Sequence, residues 1–213
     1  QAFDERVEAT LAFDEDGTFI ALDAGVIGDI GAYSIVPWTA ALEPVQVVSF
    51  LPGPYRTPHY RGHVRGVCTP KPPTGPYRGV GRPAAVFAME RLVDMAAATL
   101  GLEADEIRRR NLVRPEEFPF RIGSGIRWDR SGFLECLEDA ASSVDVADFR
   151  KRQAEARKRG KWLGLGFGTY AELTGIGSRI AVAPGMPINT GTETASVRVD
   201  ATGAVTATFA TAS

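Results

Sequence analysis

Cysteine is nearly missing from this chain: there are two in 213 residues, Cys68 and Cys136, far apart and without a Cys-x-x-Cys pair or a Cys-His cluster. That excludes a disulfide framework and a thiolate metal site, and it fits a reducing compartment. Histidine is equally scarce. His59 and His63 stand four apart after Pro58 in a strand-like stretch, with no His-Glu-x-x-His and no third ligand, so zinc is not expected. Net charge is small, −2 from 24 basic and 26 acidic side chains, which supplies no general attraction to a nucleic-acid backbone or an anionic membrane. No stretch approaches the roughly 18 apolar residues of a membrane span, and the first residues show no basic region followed by an apolar one. Gly-x-Ser-x-Gly is also absent, so Ser124 and Ser178 do not read as nucleophiles.

Glycine and proline are abundant instead. Together the 23 glycines and 14 prolines exceed the roughly 12% these two types take in an average chain. With 44% apolar and 23% charged residues the composition is globular, and an α+β fold is expected, sheet-rich at both ends and helical in the middle. Arg6–Phe13 and Thr18–Leu22 flank Asp14–Gly17 as an antiparallel hairpin would. Residues 25–36 carry glycines at 25, 28 and 31, too much backbone freedom for a regular central strand, and a closely packed bend is predicted. Residues 45–51 fit a short buried strand or helix, Leu51–Pro58 a rigid connector, and residues 59–69 a strand.

Pro70–Pro83 contains five prolines and three glycines and is expected to be a shaped loop. Pro83 then suits a first helical turn. Val86, Met89, Val93, Ala97 and Leu100 keep helical spacing until Gly101 stops them. Glu103–Arg110 places acids early and arginines late, as a helix dipole prefers. Pro115–Trp128 reads as a connection, and helices are predicted near 133–140 and 147–159. Trp162–Ala171, Ile180–Ala183, Ala195–Val199 and Ala204–Ala210 are strand-like, with Asp200–Gly203 as a hairpin turn and Trp162 and Phe167 packed inside. Gly164, Gly166 and Gly168 would then share one strand face. The working halves are residues 1–112, a hairpin and loop-helix portion, and 113–213, a linker, helices and a second strand-rich portion.

Pro76–Pro83, followed by Glu90–Asp94, Leu100–Gly101 and Ile107–Leu112, resembles the molybdopterin-binding large subunit of the molybdenum hydroxylases. That family includes xanthine dehydrogenase, aldehyde oxidase and the carbon-monoxide dehydrogenase large chain. The likeness extends to Asp14–Ala21, Gly28–Tyr33 and Leu51–Tyr55, and resumes at Leu163–Gly168 and Tyr170–Gly175. The resemblance implies part of a molybdopterin-binding domain in a cytoplasmic oxidoreductase that hydroxylates an aldehyde or a nitrogen heterocycle with water as oxygen donor. Electrons would leave through iron–sulfur and FAD-containing subunits or domains.

On the same resemblance, Arg78 is the candidate catalytic residue, orienting a carbonyl or a charged transition state. Tyr77, Gly79, Val80 and Gly81 would shape the loop beside the molybdenum cofactor. Gly79 stands where copper-containing carbon-monoxide dehydrogenases carry a cysteine, which argues against a copper–sulfur–molybdenum centre. Gln46 stands where xanthine-type members place a second arginine, which argues against purine hydroxylation. A Gly-Gln-Gly-His stretch and a late Gly-Glu motif are absent. The chain is therefore expected to be an internal fragment, inactive and without cofactor alone, whose partners are the remaining segments of its subunit. The competing readings are a noncatalytic interaction domain and a phosphate-binding or nucleic-acid-binding module built on the basic run Arg150–Lys161.

Overall fold

The computed structural model describes residues 4–35, 40–172, 180–183, 186–188 and 194–209. Two compact units divide at residues 171 and 172, a different point from the working halves. Both helices and sheets are present, in the mixed α+β arrangement expected.

The first unit is built on a three-stranded sheet in the order β1 (Glu5–Phe13), β2 (Phe19–Gly31), β3 (His59–Cys68). β1 and β2 form the expected antiparallel hairpin, with Leu11 opposite Leu22 and Val7 opposite Val26. β3 runs parallel to β2, from Ala21 opposite His59 to Gly31 opposite Cys68. A parallel pair needs a crossover, and it contains helix α1 (Leu42–Phe50). The sequence left 45–51 open between strand and helix, and it is helical.

Of the predicted bend at 25–36, residues 25–31 are instead the middle and end of β2, the central strand, and the chain bends only beyond it, at residues 32–33. Its glycines serve close approach within a regular strand. A Cβ on Gly28 would lie 2.7 Å from the Pro44 ring of α1, and one on Gly25 would lie 2.7 Å from His63 Nε2 of β3. Leu22, Ala24 and Val26 alternate on the buried face of β2, as period-two patterning requires.

Helix α2 (Arg82–Leu100) begins with Pro83 in its first turn and ends at Gly101, whose φ of +67° makes a left-handed C-cap. Met89 and Val93 of α2 are buried with Val47 of α1, Leu51, Tyr55 and Phe19. Helix α3 (Ala104–Asn111) inserts Ile107 into the same core. Asn111 ties it to the first hairpin: its Oδ1 accepts from Phe19 N at 2.8 Å, and its Nδ2 donates to Gly17 O at 2.8 Å. The expected connection 115–128 holds a 3-10 turn (Pro115–Glu117) and a minimal pair, β4 (Phe120–Arg121) with β5 (Arg127–Trp128). Helices α4 (Phe133–Val144) and α5 (Val146–Lys158) follow.

Residues 161–172 form no strand. Gly164, Gly166 and Gly168 would meet nothing within 4 Å with a Cβ added, and side chains hold the segment in place of a ladder. Gln153 Nε2 donates to Leu163 O at 2.7 Å, Arg108 Nη2 to Phe167 O at 3.1 Å, and Thr169 Oγ1 to Glu90 Oε1 at 2.9 Å. Trp162 is not a core residue: it is 78% exposed, with the Arg157 guanidinium 4.4 Å over its ring.

The second unit contains two antiparallel hairpins: β6 (Ile180–Ala183) with β7 (Met186–Ile188), and β8 (Ala195–Val199) with β9 (Val205–Phe209). The turn between β8 and β9 is the predicted one, with Asp200 Oδ1 accepting from Thr202 N and Ala204 N and Gly203 at φ +84°.

Candidate functional site

The proline-rich loop is held at its start. Lys71 Nζ lies 2.7 Å from Asp4 Oδ2 and 2.8 Å from Asp29 Oδ2, and Lys71 O accepts from Ala32 N. Thr69 Oγ1 donates to Asp29 Oδ1 at 2.7 Å. Together these contacts hold the Asp29 carboxyl down at about 2, Lys71 contributing most. The loop is therefore anchored to the end of β2, as a shaped element and not a linker.

At its far end the chain turns tightly into α2. Val80 N donates to Tyr77 O at 2.6 Å and Arg82 N to Gly79 O at 3.1 Å. Gly79 has φ +94° and Val80 φ +50°. Glycine adopts the left-handed region at no steric cost, whereas a β-branched residue there stores strain of about 1–3 kcal/mol. Gly81 is required for a different reason. A Cβ on it would lie 2.6 Å from Val47 N and would also strike Glu43 O, so the start of α2 is pressed directly onto α1.

Tyr77 is 76% exposed, and Arg78 is exposed with no hydrogen bond or ion pair among the described residues. All five expected residues thus share one strained turn whose two large polar side chains point outward. By contrast Arg82 folds back, its guanidinium 4.3 Å over the Phe50 ring and its Nη1 donating to Gly79 O at 3.4 Å.

Beneath the turn lies a residue the sequence reading did not single out. Glu43 is 2% exposed, and its Oε1 accepts from Tyr77 N at 3.4 Å. Burial, assisted by the charge of Glu5, pushes its carboxyl up to about 7 against the opposing pull of the Tyr77 N–H and Arg82. The available signal was the one charged residue in the stretch Ala40–Phe50.

The remaining sequence candidates lie elsewhere. Gln46 is buried on α1. His59 and His63 are on the sheet edge strand β3. Ser124 Oγ donates to Ser49 O at 2.6 Å, a loop-fixing bond, while Ser178 lies outside the described residues. Both cysteines are free and exposed, and among the described residues no group of three His, Cys, Asp or Glu side chains could hold a metal ion. The basic run on α5 is partly neutralised by ion pairs from Arg150 to Glu103, Arg152 to Asp148 and Lys158 to Glu155. No helix among the described residues is long and apolar enough to cross a membrane.

An exposed, unpaired guanidinium on a left-handed turn at the start of a 19-residue helix suits an anionic group, because both the charge and the helix end attract one. Residues 1–112 match the molybdopterin cofactor-binding domain. The chain belongs to this family, that of the molybdenum hydroxylase large subunits. It is 36% identical to the nicotine 6-hydroxylase large subunit of Paenarthrobacter nicotinovorans, over 97% of this chain and 25% of that protein. It is 31% identical to the carbon monoxide dehydrogenase large chain of Hydrogenophaga pseudoflava, over 83% of this chain and 22% of that one. Among solved structures, quinoline 2-oxidoreductase from Pseudomonas putida 86 superposes with a TM-score of 0.88 at 44% identity, covering 98% of this chain and 26% of that chain. The chain therefore spans about a quarter of the length of these relatives.

Proposed function

We propose that this segment belongs to a molybdenum hydroxylase that oxidises an electron-poor carbon of a nitrogen heterocycle, or of an aldehyde, with water as the oxygen donor. The observation that carries the reading is the Tyr77–Gly81 turn, with Arg78 unpaired at the start of α2. The names of the quinoline- and nicotine-oxidising relatives support the heterocycle over the aldehyde.

When bound, the molybdenum cofactor supplies the oxidation and the transfer of water-derived oxygen. The residues of this chain do the positioning. Tyr77, Gly79, Val80 and Gly81 form the turn that would face the cofactor, and the Arg78 guanidinium would stabilise negative charge developing on the substrate. Most of the substrate pocket would come from other parts of the subunit. A cavity beside α2, lined by Phe50, Arg82, Met89, Trp128 and Tyr170 among others, holds about 10 Å³, room for one water and not for a bicyclic ring. The groove between β1 and α2, with Phe87 at 71% exposure, is a surface those other segments would cover. The family relation further supports iron–sulfur and FAD-bearing partners and a cytoplasmic setting.

The test is to produce the full-length subunit with its partner chains and measure bound molybdenum and hydroxylation of quinoline in isotope-labelled water. Stoichiometric molybdenum with label in the product is expected. Molybdenum-free protein, or product oxygen drawn from dioxygen, would overturn the reading.

A further inference from the structure

The turn that carries Arg78 is bonded to a buried carboxyl that keeps one oxygen without a partner. Glu43 Oε1 receives the Tyr77 N–H, but Oε2 has no hydrogen-bond partner. One helical turn on, Gln46 is 6% exposed and its Oε1 is likewise unpartnered. Positions i and i+3 are neighbours on a helix face. A buried acceptor left unsatisfied is destabilising, and one proton on Glu43 converts one of these acceptors into a donor. Two charged groups face Glu43 from the elements packed against it. Glu5 of β1 repels its ionised form, and Arg82 of α2 attracts it. Gly81 is pressed on the Glu43 backbone carbonyl, so the turn packs against the helix that carries the carboxyl, and the Tyr77 N–H joins turn and carboxyl directly.

We propose that Glu43 is the positioning residue of the Tyr77–Gly81 turn: as a neutral acid it seats the turn and Arg78 with it, and as a carboxylate it releases the turn toward water. The catalytic relevance of this motion rests on the function proposed above, but the motion itself does not. The strain at Val80 favours release, because an opened turn lets φ relax.

The sign follows from linkage. In the seated state the carboxyl titrates at about 7, and once returned to water it titrates near its ordinary 4.5. Between those values the seated state holds the proton and the released state does not. The released-to-seated ratio therefore rises about tenfold per pH unit in that window and levels off above about pH 7.

Hydrogen exchange of the Tyr77–Gly81 amides, measured on the assembled full-length enzyme from about pH 5 to about pH 8 and divided by the exchange of an unfolded peptide, reads this ratio. The wild type is expected to show close to a tenfold rise per unit with a plateau above about pH 7, and Glu43→Gln a flat profile. Glu5→Gln, which removes a repelling charge, moves the plateau to lower pH and serves as a second arm should Glu43→Gln fail to assemble. A flat wild-type profile, a Glu43→Gln profile as steep as the wild type, or a plateau unmoved in Glu5→Gln overturns the proposal. Molybdenum content of the same preparations tests the function separately, since exchange is read without turnover.

Discussion

Two buried carboxylates one helix apart meet opposite fates. Glu90 of α2 is surrounded by donors: Arg108 Nε and Nη2 reach its Oε2 at 2.9 and 2.7 Å, and Tyr55 OH and Thr169 Oγ1 reach its Oε1 at 2.6 and 2.9 Å. Arg108 is fully buried and also bonds Asp94, Ala104 O and Phe167 O. Glu43 of α1 is as deeply buried but has one long bond and an idle oxygen. A saturated network fixes three parts of the chain, α2, α3 and the 161–172 segment, in one arrangement. An unsaturated carboxyl under a strained turn leaves that turn able to respond. Burial alone therefore does not mark a charge as structural; the completeness of its hydrogen bonding does.

The sharpest way to break this contrast is Arg108→Ala. Removing it strands the Glu90 charge, and a loss of about 3–5 kcal/mol in unfolding free energy is expected by urea titration; a loss under 1 kcal/mol would show the network to be ornamental. Arg78→Ala is its converse. In the assembled enzyme kcat/KM for quinoline is expected to fall about a hundredfold, while the urea midpoint stays put because the side chain has no partner among the described residues to lose; a stability loss without a rate loss would reverse the assignment. Gly81→Ala drives a methyl group into backbone atoms of α1 that cannot rotate away, with an expected cost of about 1–3 kcal/mol, measured by thermal melting. Trp162→Ala should be mildest, about 0.5–1 kcal/mol, since it removes one exposed cation–π contact; a larger loss would place Trp162 in a core after all.

What the sequence made legible was local. Val86, Met89 and Val93, punctuated by Pro83 and Gly101, define α2 because spacing and caps are neighbours in the chain. The Asp14–Gly17 and Asp200–Gly203 turns were legible for the same reason. β2 was misjudged because Gly25 and Gly28 answer to Pro44 and His63, residues that no local window contains. The 162–171 run has strand composition but pairs with no strand among the described residues, and apart from the nearby Gln153 its real supports, Arg108 and Glu90, are distant in sequence. In the site, the Tyr77–Gly81 turn could be named from its motif, whereas Glu43 could not, because its character comes from the desolvation that folding imposes.

The direction of one strand decides where all this sits. Since β3 runs parallel to β2, the chain leaves both strands at the same end of the sheet, and α1 and α2 therefore begin side by side. An antiparallel β3 of the same length would have delivered the start of α2 to the opposite end, about 30 Å away. Glu43 and Arg78 belong to one locality only because the polypeptide departs twice from the same edge, the place where open sheets with parallel strands form their crevices.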